Sequence, residues 1–117
     1  MRNEDFRGRT KVFALRIIKM YCSLPKSVQA QVLGKQALRS GTSVAANYRE
    51  ASRARSDAEL VSKLGVVEQE LDETLLWLEL LVESGVVPET KMASLHTEGD
   101  ELLRMTVAAT KKAKARL

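Results

Sequence analysis

With 117 residues, 44% of them hydrophobic, the chain has material for one core and not for two. Only 4% of residues are aromatic, so Leu, Val, Ile and Ala must do the packing, and six Gly with two Pro favour long helices over many short strands. The net charge of +4 is carried without a signal-like apolar run in residues 1–5 and without the roughly 20 apolar residues of a membrane span. A lone Cys22 makes no internal disulfide, which points to a reducing cytoplasm.

The first helix is expected over residues 5–23. Phe6, Thr10, Phe13, Ile17, Met20 and Leu24 recur there at alternating steps of four and three, keeping one stripe toward a partner. Pro25 closes it, since proline disfavours a helical residue before it yet suits the first turn of the next helix. The second helix is expected over 26–54. Residues 55–59 interrupt it, with Ser56 and Glu59 as a capping box that satisfies orphan backbone N–H groups at the head of the third helix.

That third helix, 57–84, carries Leu60, Leu64, Val67, Leu71, Thr74, Leu78 and Leu81 in a strict heptad. Ser84-Gly85 ends it, glycine being the usual left-handed residue past a helix end. Pro88-Glu89 opens a fourth helix over 88–113, striped by Met92, Leu95, Gly99, Leu102, Thr106 and Ala109, with a tail expected to fray from Lys111. Short connections make sequential neighbours antiparallel. The expectation is therefore all-α, an up-down-up-down antiparallel left-handed four-helix bundle forming a single domain over 1–117.

A polar seam runs beside the apolar ones. Gln36, Ser40, Ser43, Asn47 and Glu50 recur at helical spacing in the second helix, as do Lys63, Glu70, Glu73 and Trp77 in the third. Buried polar groups must hydrogen-bond one another. Gln36, Arg39, Ser43, Asn47, Glu50, Glu70, Glu73 and Trp77 are accordingly read as an internal polar layer, with Arg39 facing one or both acids. Its role would be to fix register.

The string from Gln36 through Arg39-Ser40, Thr42-Ser43, Ala45-Ala46-Asn47, Glu50-Ala51 and Arg53-Ala54 to Ser56 resembles a family signature. So does its continuation through Glu59-Leu60, Lys63-Leu64, Glu70, Glu73-Thr74 and Trp77-Leu78. The family is that of small bacterial proteins named after open reading frames in 23S rRNA intervening sequences, which includes the accessory variability determinant of diversity-generating retroelements. The likeness spans residues 9–85. It implies a four-helix bundle, assembly as a homopentamer ringing a central channel, and, for the retroelement members, binding of a reverse transcriptase and nucleic acid through a basic surface. Tyr48 and Arg49 depart from the more apolar or acidic residues of many relatives. Periodicity alone permits a monomer equally well.

Charge is sharply segregated. Residues 1–55 hold twelve Lys or Arg and three acids, 56–101 two Lys and twelve acids, and 102–117 five basic residues and no acid. One explanation is pairing between helices of opposite sign, within the bundle or between copies. The other is a basic surface for nucleic acid, with Arg2, Arg9, Arg16 and Lys19 on the first helix and Lys111, Lys112 and Lys114 on the last. Such a surface reads phosphates and not sequence, and no aromatic residues interleave with the basic ones for base stacking.

Enzyme chemistry has little to stand on. His96 has no carboxylate three before it, and no His-Glu-x-x-His, phosphate loop or Cys-x-x-Cys is present. Glu70 and Glu73 are read as structural, and Cys22, His96 and Trp77 as packing residues. No metal, cofactor or small-molecule substrate is expected, and the apolar stripe of the first helix is claimed by the bundle and not by a membrane. The expected function is a non-enzymatic oligomeric scaffold or adaptor, with itself and structured RNA or DNA as partners. The alternative is a purely protein–protein module, such as a partner of a nucleic-acid enzyme.

Overall fold

Apolar positions at three- and four-residue steps fold into four helices in a computed structural model that describes the backbone of residues 3–117 and the side chains of residues 5–117. They are α1 (Asn3–Cys22), α2 (Val28–Ala51), α3 (Asp57–Glu83) and α4 (Glu89–Ala115). α2 is shorter than expected at both ends. Ser27 starts it, its Oγ accepting the Ala30 N–H at 3.3 Å, and Ser52 ends it by donating its N–H to the Tyr48 carbonyl at 2.8 Å. Ser56 caps α3 as its sequence suggests, Oγ accepting the Glu59 N–H at 3.1 Å.

Gly85, at φ +84°, ends α3 in the left-handed conformation. The N–H of Val86 returns to the Leu81 carbonyl and that of Gly85 to Val82, a Schellman motif that satisfies carbonyls the helix leaves open. α4 stays helical through the tail expected to fray. Ala113 is buried, and Arg116 Nε donates to Asp57 Oδ1 at 3.0 Å, tying the last turn to the head of α3.

Neighbouring helices run in opposite senses. α1 meets α2 at Phe6 with Tyr48 and at Ile17 with Gly41. α2 meets α3 at Glu50 with Lys63 and Ser40 with Thr74. α3 meets α4 at Leu75 with Gly99 and Glu79 with His96. α1 and α4 close the bundle along its most open seam, and among the described residues no Cα pair between diagonal helices comes within 8 Å. The result is 47 Å long and about 20 Å across.

The core follows the expected stripes. Phe6, Phe13, Ile17, Leu71, Leu78 and Leu102 are fully buried, each contributing about 1.5–3 kcal/mol of hydrophobic stabilisation. At Gly41, a Cβ would lie 2.8 Å from Ile17 Cγ1, so the missing side chain sets how closely α1 and α2 approach. Ser40 and Thr74 are the polar pair inside the α2–α3 seam, their hydroxyls 2.7 Å apart.

Candidate nucleic-acid interface

The expected internal polar layer lies at the surface of the α2–α3 seam. Arg39 does reach both acids, donating from Nη1 to Glu70 Oε2 and from Nη2 to Glu73 Oε1, each at 3.3 Å. Yet the Arg39 side chain is 54% exposed while Glu70 is 13% exposed, and Gln36 and Glu50 are exposed as well. Glu50 accepts from Lys63 Nζ at 3.1 Å. Ser43 and Asn47 bond within α2, Asn47 Nδ2 donating to the Ser43 carbonyl and hydroxyl. The physical reason is size. Ser40 and Thr74 are short enough to sit between the helices, whereas the longer side chains extend past the contact to keep their charges hydrated.

Trp77 falls on the α3 face of Glu70 and Glu73 by its spacing. It packs partly buried against the core, and its indole N–H is buried without a hydrogen-bond partner among the described residues.

The cations of α1 divide. Arg9 Nη1 donates to Glu101 Oε1 at 2.8 Å, and Arg16 pairs with Glu98 and donates to Ser94 Oγ at 3.1 Å. The hydrogen bond and positive charge of Arg9 hold the Glu101 carboxyl below its usual range. These two arginines therefore serve the α1–α4 seam, an answer to the charge segregation that lies inside the bundle. Lys19, Lys111, Lys112 and Lys114 are exposed and make no ion pair among the described residues. Arg2 lies outside the described residues.

The larger basic feature involves residues that sequence reasoning did not single out. Phe6 and Tyr48 pack edge to face, with ring centroids 4.5 Å apart and planes at 67°. This contact pins the N-terminal half of α1 to the C-terminal half of α2, and so brings Arg7 beside Arg49. Around them opens a cleft of about 710 Å³ lined, among the described residues, by six cations, Arg7, Lys11, Arg49, Arg53, Arg55 and Lys63. Ala45 and Ala46 also line it, small enough to leave it concave, and among the described residues only Glu50 and Glu59 of its lining oppose the charge. Among the described residues, Lys63 alone of the six makes an ion pair. The Arg7–Lys11 and Arg49–Arg53 pairs, each four residues apart, were a legible signal. Their convergence was not, because it depends on the α1–α2 register.

At the opposite end, His96 Nε2 lies 2.8 Å from Glu79 Oε2 beside a cleft that Glu83 and Glu89 also line. Cys22 is exposed, not a packing residue as expected. Among the described residues no cluster of His, Cys, Asp and Glu could hold a metal ion. Among the described residues no helix is long and apolar enough to cross a membrane.

Residues 3–108 match the model of the 23S rRNA-intervening sequence protein family. The chain belongs to that family. A crystal structure of a protein of unknown function from the S23 ribosomal protein family of Bacteroides thetaiotaomicron VPI-5482 is similar to this member, with 33% identity and a TM-score of 0.87 over 95% of this chain and 99% of that one. No curated protein matches this family member. The match covers all four helices up to the last turns of α4, so the basic cleft lies wholly within the family-like part of the chain.

Proposed function

We propose that the protein is a non-enzymatic, self-associating cytoplasmic scaffold that engages structured RNA or DNA through its phosphate backbone. The observation that carries this reading is a surplus of uncompensated cations at one end of the bundle. Arg7, Lys11, Arg49, Arg53 and Arg55 surround the cleft there, and Lys111, Lys112 and Lys114 project from the end of α4. A concave surface of one sign concentrates its field and draws in a polyanion. Phosphate contacts then supply affinity without sequence preference.

Self-association is supported by the outer faces of the helices. Val12, Leu15 and Ile18 are exposed on α1, and Val66, Leu76 and Leu80 on α3, where Asp72 and Glu83 are also exposed. A basic, apolar α1 face against an acidic, apolar α3 face of another copy is a head-to-tail contact, which closes into a ring when its rotation permits. The homopentameric ring is the assembly that the family likeness implies. The same exposed apolar residues favour the second reading, a module for protein partners such as a nucleic-acid enzyme, with no nucleic acid bound directly.

Sedimentation of the protein with and without a labelled structured RNA separates the two. The scaffold reading expects a mass above the monomer, RNA co-sedimenting with that species, and reduced co-sedimentation for Lys111→Gln with Lys112→Gln and Lys114→Gln at unchanged mass. Protein that ignores RNA, whether assembled or monomeric, would overturn the scaffold reading and leave the protein-partner one. Arg9 and Arg16 are poor probes, since reversing either charge also breaks the α1–α4 seam.

A further inference from the structure

We propose that the cleft between α1, α2 and the head of α3 seats the sugar–phosphate backbone of a double-helical nucleic acid, with Arg7 and Lys11 on one wall and Arg49 and Arg53 on the other. The proposal rests on the reading above that the protein engages nucleic acid, and it adds the site and the form of the ligand.

The walls follow from helix geometry. Arg7 and Lys11 are four residues apart on α1, about 6 Å along the helix, while Arg49 lies in the last turn of α2 and Arg53 in the turn just past its end. Both pairs face the same cleft, held in register by the Phe6–Tyr48 contact beneath them. They form two short rows of positive charge with a floor that includes Ala45 and Ala46.

The arrangement fits a polyanion better than a small anion. A single phosphate is held by a few converging donors, whereas these cations are spread around about 710 Å³ of open groove. Guanidinium groups present planar forks that match phosphate oxygens two at a time, and Arg49 and Arg53 are exposed with no ion pair among the described residues. Lys63 contributes less because Glu50 already neutralises it.

The lack of rings selects the form of nucleic acid. Single strands are held by stacking their bases on aromatic side chains, at about 1–3 kcal/mol per base. Among the described residues no aromatic side chain lines this cleft, and the nearby Tyr48 ring is buried against Phe6. A double helix keeps its bases stacked inside and offers phosphates outward, so it needs no aromatic platform from these walls.

The test is fluorescence titration of the full-length protein with a labelled hairpin RNA and with an unstructured single strand of equal length, across a salt series. Arg49→Gln with Arg53→Gln should weaken hairpin binding by about tenfold or more and lower the salt slope by about two, one for each lost phosphate contact. Arg7→Gln with Lys11→Gln should do the same from the other wall, and decides the matter if the α2 variant loses its helical circular dichroism. Lys26→Gln with Lys35→Gln, an equal charge change at the other end, should alter binding much less. Equal losses in all three would overturn the site while leaving backbone binding intact. Single-strand binding as tight as hairpin binding would overturn the double-helical ligand. If the unmodified protein binds neither RNA, the underlying reading fails and the site fails with it.

Discussion

Ser40 of α2 and Thr74 of α3 join their hydroxyls at 2.7 Å inside the helix interface, both of them fully buried. The pair allows two polar side chains to occupy a packed seam, because each supplies what the other lost on leaving water. Ser40 also lies 3.4 Å from the Ala37 carbonyl and Thr74 hydrogen-bonds the Glu70 carbonyl at 2.7 Å, so the contact is anchored to both backbones.

Breaking one side of this pair should cost more than removing both. Thr74→Val leaves the Ser40 hydroxyl short of its partner and should lower unfolding free energy by about 1–3 kcal/mol. Adding Ser40→Ala should recover most of the loss. Urea unfolding of the two singles and the double measures the coupling, and strictly additive losses would contradict it.

Two helical glycines should respond in opposite directions. Gly41→Ala drives a Cβ to within 2.8 Å of Ile17 Cγ1 and 2.9 Å of its Cγ2. Overpacking of about 1–3 kcal/mol then outweighs the roughly 1 kcal/mol that alanine gains in helix propensity. Gly65 has open space around its Cβ position, so Gly65→Ala should raise the melting temperature. Thermal melts of both variants compare the signs directly.

Alkaline pH should act through Tyr48. Burial pushes its phenol above the usual value of 10.0, with Arg7 pulling partly the other way. A raised folded-state pKa means the fold favours the protonated ring. That stabilisation is complete below about pH 10 and is lost as pH climbs through the higher folded value. Tyr48→Phe keeps the packing on Phe6 and should unfold less steeply with pH above 10. Matching alkaline profiles for the two proteins would contradict this role.

Helix order, the core stripes and the Ser56 and Gly85 helix ends were legible in the sequence because periodicity and capping are local. Arg39 shows where legibility stops. Its spacing identified its partners Glu70 and Glu73, but not that the cluster stays hydrated at the seam's edge. Burial depends on side-chain length against interhelical distance, which no pattern states. Arg9 and Arg16 read as a free basic stripe until the acids of α4 were placed opposite them. Conversely, the Arg7–Lys11 and Arg49–Arg53 pairs lie more than thirty residues apart in the chain and converge through the α1–α2 register that the Phe6–Tyr48 contact helps set.

The central claim is tested most directly by the affinity of the unmodified protein for a labelled RNA hairpin between about 50 and 200 mM salt. Four cations meeting phosphates predict a logarithmic salt slope of about −2.8 to −3.6, from roughly 0.7–0.9 counterions released per contact. Absence of binding at the lowest salt, or binding indifferent to salt, would contradict a backbone-reading scaffold.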